Sequence, residues 1–143
     1  MILSPKEVEK ILALLWMSLN KDDQFAKMKL LPEELEKIIP PLGATFKETD
    51  PIVKIRFFDP YGSWSWYVIE GSRHKEGVAT ILDDKEYHSD MIFYGLVKGF
   101  EDELGDFSLA ELESIKTSWG TPRIERDIIF EHMPLSEVVK KYN

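Results

Sequence analysis

The best candidate for polar chemistry in the sequence is a run of alternating charges, Glu125-Arg126-Asp127. Arg126 carries a permanently charged guanidinium, whose planar fork of donors can bind a carboxylate through two hydrogen bonds. We expect it to pair with an acid from elsewhere in the chain, Glu70 or Glu103. These groups and Asp127 could form an acid–base cleft, or an ion pair that only fixes a strand in place. The sequence favours the ion pair.

Other kinds of reactive site lack the residues that they need. The chain has no cysteine, which excludes disulfides, thiolate zinc sites and cysteine nucleophiles. Its histidines have no metal-binding spacing, and there is no Gly-x-Ser-x-Gly motif or glycine-rich phosphate loop. The acidic residues near Gly105 do not follow the EF-hand register. We predict no catalytic residues, no cofactor and no metal site.

Six aromatic rings fall within Phe57–Tyr67, a density that suggests either a ligand platform or a core strand. Strand geometry puts Trp64 and Trp66 on one face and Tyr67 on the other. A platform for nucleic-acid bases needs Lys and Arg around the rings, and only two basic residues lie nearby, both on the preceding strand. Core packing is therefore favoured. One of the two tryptophans is expected to be partly exposed beside a cleft, which makes both candidate binding residues.

The negative charge of the chain is concentrated in one segment. Phe100–Glu113 contains six acidic residues and no Lys or Arg, so it supplies −6 of the net −8. Glu101, Asp102 and Asp106 are predicted to form an acidic surface on a solvated loop before a helix capped by Ser108. Direct binding to a nucleic-acid backbone would need the opposite sign. An acidic mimic of nucleic acid, occupying the basic groove of a defence nuclease, is one alternative function.

The first 27 residues are predicted to form a helical addition to a single domain that spans residues 1–143. Ser4-Pro5-Lys6-Glu7 is a capping box with proline at the first helical position, so a helix should begin there and run to about Asn20. Its apolar residues extend beyond one face of the helix. This favours packing in the core over contact with a partner or with a second copy of the chain. The residues that recur at helical spacing are Val8, Ile11, Leu12, Leu15 and Leu19.

The rest of the chain alternates short helices with hairpin-linked strands, which is typical of an α+β domain. We predict an antiparallel sheet of about four to five strands with helices packed on one face. Helices are expected after Pro32, Ser108 and Ser136. The predicted strands are Ile52–Phe58, Trp64–Glu70, Val78–Leu82, Met91–Gly99 and Ile128-Ile129-Phe130. In the first of these strands, Val53, Ile55 and Phe57 should share one face. Asp83–Asp90 is predicted to be a polar connection.

Several short motifs, taken in order, resemble those of the domain of unknown function 2958 family. The resemblance covers about Met28 to Val138. It implies a small cytoplasmic product of a plasmid, phage or integrative element, and it implies no catalytic residues because the family has no established activity. The motifs are Phe58 and Pro60, Trp64-Ser65-Trp66-Tyr67, Glu70, Phe93-Tyr94-Gly95-Leu96-Val97, Gly99-Phe100, Glu103-Leu104-Gly105, Phe107-Ser108-Leu109, Glu111-Leu112 and Glu125-Arg126-Asp127.

These observations favour a protein-binding accessory module that docks on a host protein or on a protein encoded by the same element. We expect a cytoplasmic location, because no signal peptide precedes the first helix and Ile11–Leu19 is too short to span a bilayer. The alternatives are the acidic mimic and an enzyme with the Glu/Arg/Asp cleft.

Overall fold

A five-stranded antiparallel sheet forms the centre of the fold in the computed structural model, which describes residues 2–18 and 29–143. The helices are α1 (Pro5–Ser18), α2 (Glu33–Glu36), α3 (Leu109–Ser114) and α4 (Leu135–Lys141). The strands are β1 (Ile52–Val53), β2 (Ile55–Phe58), β3 (Ser65–Arg73), β4 (Ala79–Leu82), β5 (Lys85–His88), β6 (Met91–Lys98), β7 (Asp102–Ser108), β8 (Glu125–Arg126) and β9 (Met133–Pro134). The strand order in the central sheet is β7-β6-β3-β2-β8, and the remaining strands form two two-stranded sheets, β1-β9 and β4-β5.

The prediction of an α+β fold with an antiparallel sheet is confirmed, and both faces of the sheet are covered. Along β3, Trp66 packs into the apolar cluster on the first face, and Tyr67 packs into the cluster on the second face. Both side chains are buried, at 7% and 1% exposure, so the core interpretation of this strand is confirmed. Helices α2 and α3 lie on the first face, but α4 packs on the second through Val138. The helices are therefore not confined to one face.

The predicted strand Ile52–Phe58 is divided at Lys54 into β1 and β2. Ile55 and Phe57 face the first cluster as expected, but Val53 belongs to the second cluster. Strict alternation would keep these three side chains on one face. The backbone N–H of Lys54 donates to the carbonyl of Val68 at 2.8 Å. The alternation of side chains is broken at this residue, and the Val53 side chain therefore lies on the other face of the sheet.

Two segments predicted as irregular are strands. In the predicted connection Asp83–Asp90, β5 pairs with β4 through a two-residue turn at Asp83 and Asp84. Both turn residues have positive φ, the conformation that short hairpin turns require and aspartate tolerates. The predicted acidic loop is β7, which pairs with β6 along its whole length. Its acidic side chains obscured the strand because they line an exposed edge.

The C-terminal region corrects two further predictions. Ile128 and Ile129 are exposed in a turn, in which the Asp127 side chain accepts a hydrogen bond from the Ile129 N–H at 3.2 Å. The strand in this region is β8 alone. Ser136 lies inside α4 and does not cap it, because its N–H and hydroxyl donate to the carboxylate of Asp50 at 2.9 and 2.6 Å.

Helix α1 begins as predicted, and its described side chains are exposed. Ser4 Oγ accepts a hydrogen bond from the Glu7 N–H at 3.3 Å, as the capping box requires. Val8, Ile11 and Leu12 are each more than 40% exposed, so the expectation that this stripe completes the core is wrong. Leu19 lies outside the described residues. No helix of the described ranges is long and apolar enough to cross a membrane.

The crowding at Gly95 of β6 provides a test of the strand register. A β-bulge in β3, between Val68 and Glu70, presses the strand against Gly95 of β6. A side chain at Gly95 would overlap the carbonyl of Tyr67, whereas its register partner Gly105 has open space. Gly95→Ala should lower the free energy of unfolding by about 3 kcal/mol. The matched variant Gly105→Ala should change it by less than about 1 kcal/mol.

Urea unfolding followed by tryptophan fluorescence would measure both values. Equal stabilities for the two variants would contradict the strand register and the bulge that bring β3 against Gly95.

The exposure of α1 predicts that the rest of the chain folds without it. Deletion of residues 1–18 should change the free energy of unfolding by less than about 1 kcal/mol, because the deleted side chains that the structure describes bury little apolar surface. Loss of a cooperative unfolding transition after the deletion would show that α1 completes the core.

Candidate functional site

The charged residues that were expected to form one cluster lie far apart. Glu103 is on β7 and Arg126 is on β8, the two outer strands of the five-stranded sheet. Four strand spacings separate them, or about 19 Å. Arg126 Nη1 instead donates to the backbone carbonyls of Lys29 and Leu30 at 2.7 and 3.3 Å. The structure does not assemble the acid–base cleft.

The ion pair at this strand edge joins Asp127 to Arg56, and the favoured pair between Arg126 and Glu70 or Glu103 does not form. Asp127 accepts from Arg56 Nη1 at 3.1 Å, and its own N–H donates to the Arg56 carbonyl at 2.9 Å. The Arg56 guanidinium also lies over the Tyr142 ring at 4.8 Å and donates to the Tyr67 hydroxyl. These contacts tie the second-face cluster to the edge of the sheet.

Glu70 is a buried carboxylate that organises a loop. It accepts hydrogen bonds from the N–H groups of Gly43 and Thr45, both at 2.7 Å, and from the Thr45 hydroxyl. Burial raises the pKa of Glu70, but the hydrogen bonds from Thr45 and Gly43 outweigh it and leave the pKa below its ordinary value of 4.5. Glu70 is therefore a charged structural anchor for residues 42–46.

The two candidate tryptophans do lie together, beside a cleft at one end of the sheet. Trp64 is half-buried, and its ring lies 6.0 Å from the ring of Trp66. The cleft has a volume of about 370 Å³ and is mainly apolar. Its lining residues are Asp59, Trp64, Trp66, Phe107, Glu111, Leu112, Ile115, Arg123 and Ile124. We call this space and the exposed aromatic residues at its margin the aromatic cleft.

An ion pair between distant parts of the chain joins the two loops at the mouth of the aromatic cleft. Arg123 Nε donates to both carboxylate oxygens of Asp59, at 2.9 and 3.0 Å. The hydrogen bond from Arg123 lowers the pKa of Asp59 below its ordinary value of 3.8, although burial opposes this shift. Asp59 also accepts from the Tyr61 N–H, so one carboxylate shapes its own loop and holds the second loop.

Two exposed rings lie beside this ion pair, one packed against Arg123 and the other against the first ring. The loop between α3 and β8 is closed by hydrogen bonds between Thr117 and Thr121, which places Trp119 at its tip. Trp119 contacts Tyr61 edge to face at 5.9 Å, and the Arg123 guanidinium lies 5.6 Å from the Tyr61 ring. Tyr61 and Trp119 remain 60% and 66% exposed, so large apolar surfaces face solvent at the cleft.

A second, smaller pocket shares Trp64 with the aromatic cleft as a lining residue. The Trp64 ring lies directly on Gly99, where an added side chain would meet it at 2.5 Å. Phe100, which is 96% exposed, contacts the same ring edge to face at 5.3 Å. This pocket has a volume of about 260 Å³ and is lined by Trp64, Val97, Gly99, Phe100, Glu101 and Glu103.

The charge that surrounds both pockets is negative. Glu111 lines the aromatic cleft, and Glu101 and Glu103 line the smaller pocket. In the described part of the chain, none of these three carboxylates takes part in an ion pair. The nearby cations Arg123 and Lys98 are already paired, with Asp59 and Asp102 respectively. The site therefore favours positively charged ligands.

Sequence reasoning found the tryptophans of the cleft but missed its exposed rings. Trp119 precedes Gly120 in a turn, and Phe100 follows Gly99 between two strands. A large ring beside glycine in a turn has little chance of burial, so these positions carried a usable signal. The ion pair from Asp59 to Arg123 spans 64 residues of sequence and could not be predicted from spacing.

The structure thus defines a small α+β domain with an aromatic, acidic-rimmed cleft. The chain belongs to the family described as protein of unknown function, DUF2958, which it matches over residues 21–142. This range begins before the expected position at Met28 and excludes α1. No match was found among curated proteins or among solved structures. Over residues 2–18 and 29–143, no group of three His, Asp or Glu side chains is arranged to hold a metal ion.

The anchoring role of Glu70 predicts a stability that depends on pH. Glu70→Gln turns an amide N–H₂ toward the donors of Gly43 and Thr45, and should cost about 2 kcal/mol at pH 7. Because the folded pKa is lowered, the carboxylate contributes above its ordinary value of 4.5, and this contribution is lost as the pH falls through the folded value. The difference in free energy of unfolding between the unchanged protein and Glu70→Gln should therefore become smaller below pH 4.5. A difference that does not change with pH in urea titrations would contradict this role.

Proposed function

We propose that the chain is a protein-binding module that captures a partner through the aromatic cleft. The observation that carries this proposal is the group of exposed rings, Tyr61, Phe100 and Trp119, around a cleft walled by Trp64. Exposed aromatic residues are enriched at protein interfaces, because they bury large areas at a small cost in side-chain entropy. A clustered apolar patch is uncommon on a surface that binds nothing.

The partner that fits this site is a protein segment with large apolar side chains next to Lys or Arg. The apolar side chains would enter the aromatic cleft, and the cations would meet Glu101, Glu103 and Glu111. Charges at the margin of an interface mainly increase the association rate and exclude acidic competitors. The apolar contacts are expected to supply most of the affinity.

The biological setting that we propose rests on the family resemblance and not on the site. A small cytoplasmic accessory protein of a plasmid, phage or integrative element would bind a host protein or one encoded by the element. The acidic-mimic alternative is supported by the carboxylates along β7, but these occupy a single strand. A mimic needs charges distributed over an extended surface. We therefore favour capture through the cleft.

Phe100→Ala tests the proposal with little risk to the fold, because the Phe100 side chain is almost fully exposed. Random peptides displayed on phage would be selected on the unchanged protein, and the enriched peptides would be synthesised. We expect sequences rich in aromatic residues and Lys or Arg. Phe100→Ala should weaken their binding at least tenfold, as for a hot-spot residue. The control Ile129→Ala removes a side chain that is 84% exposed beyond the opposite edge strand, and should bind normally.

Two results would contradict the proposal. Selection of no consensus peptide would show that the aromatic cleft does not bind protein segments. Normal binding by Phe100→Ala, combined with loss of binding when Glu101, Asp102 and Asp106 are changed to Lys, would instead favour the acidic mimic. Calorimetric measurement of peptide affinity at low and high salt would separate the two binding modes. Screening at ~1 M salt weakens exposed charge interactions, so binding by an acidic mimic should be lost and binding by the apolar cleft should be largely kept.

A further inference from the structure

The outer edge of β7 is open in the described part of the chain. β7 is the terminal strand of the central sheet and pairs only with β6. From Asp102 to Asp106, every residue except the half-buried Gly105 is exposed. In an antiparallel ladder, alternate residues of an edge strand turn their N–H and C=O groups away from their neighbour. These groups form a template on which another strand can pair.

A pocket lies next to this edge on each face of the sheet. On the first face is the smaller pocket between Phe100 and Glu103. On the second face, Leu104 lines a pocket of about 370 Å³ together with Tyr94 and Phe46. Successive side chains of a strand point to opposite faces. A strand added to β7 would therefore direct its alternating side chains toward these two pockets.

The charge of the edge determines which strand can be added. Glu103 points to the first face, and Asp102 and Asp106 point to the second, so both faces of the edge are acidic. A second copy of β7 would bring like charges together, which opposes self-pairing. A strand that carries Lys or Arg would instead meet acidic groups on either face.

We propose that β7 accepts an extended, basic segment of a partner protein as a sixth strand of the central sheet. The inference rests on the proposed protein-binding function and specifies its main-chain part. Main-chain hydrogen bonds to β7 hold the segment, and the two pockets select its side chains. The aromatic cleft, which shares Trp64 with the first-face pocket, receives the residues that follow.

N-methylated peptides test this inference directly. The probe is a peptide about nine residues long, with Lys at odd positions, Val at even positions and Trp in place of the central Lys. Two isomers carry backbone N-methyl groups at odd or at even positions only. Methylation keeps the charge of the peptide but removes the N–H donors along one edge of the strand.

One isomer should bind as the parent does, and the other should bind at least tenfold more weakly. The amide resonances of residues 102–106 should shift in NMR spectra, and their hydrogen exchange should slow. Equal binding of both isomers would show that charge alone attracts the peptide and would overturn the inference. Absence of parent binding at ~1 mM would also overturn it.

A pair of charge variants provides the matched control. Glu103→Lys combined with Asp106→Lys should weaken parent-peptide binding about tenfold or more, because the Lys side chains of the peptide share one face of the sheet with one of these two carboxylates, and their attraction to it becomes repulsion. Glu76→Lys combined with Glu131→Lys makes the same change in net charge at exposed positions outside β7, and should change binding less than threefold. Equal losses in the two double variants would contradict a role for the edge.

The phage selection, repeated with Trp119→Ala, tests the aromatic cleft separately, because Trp119 packs on Tyr61 at the margin of this cleft and lines neither of the two pockets beside β7. If that selection succeeds and the methylated isomers bind alike, the cleft captures side chains only, and the edge inference alone fails. If both experiments fail, the protein-binding function fails with it.

Discussion

β3 is buried on both of its faces, and this burial dictates how the surrounding helices and strands are arranged. Trp66 and Val68 face one cluster, and Tyr67 and Ile69 face the other, so neither side of the central strand can be left to solvent. Covering one face requires α2 and α3, and covering the other requires α4 and the β1-β9 pair. Apolar packing therefore covers both faces of the sheet at β3. Binding surfaces can then form only at its ends and edges, where the aromatic cleft and the open side of β7 lie.

Charged side chains fix the loops that surround this core by reaching across long stretches of sequence. Asp59 holds Arg123, Glu70 holds the loop at Thr45, and Asp50 holds the start of α4 at Ser136. Each carboxylate accepts several hydrogen bonds, and its charge strengthens them. The residues that looked most reactive in the sequence therefore contribute to architecture. The chemical character of the candidate site comes instead from exposed aromatic rings and carboxylates outside any ion pair.

Patterns of local origin were predictable from the sequence, and long-range pairings were not. The alternation around Trp66, the Ser4 and Ser108 caps and the β6 strand follow from the spacing of neighbouring residues. β7 was missed because acidic residues along an exposed edge resemble a polar loop. The apolar run at Ile128 resembled a strand, but Asp127 turns the backbone there. The stripe on α1 indicated a helix correctly, and nothing in its periodicity could specify whether the core would receive it.

Hydrogen exchange of the chain, measured alone and with a peptide selected on it, would locate the binding surface directly. Binding at the aromatic cleft and the β7 edge should slow exchange in residues 98–106 and 115–124, and leave residues 127–133 unchanged. Protection confined to α1, or to the β8 and β9 side of the sheet, would place the binding surface elsewhere and contradict binding at the aromatic cleft and the β7 edge.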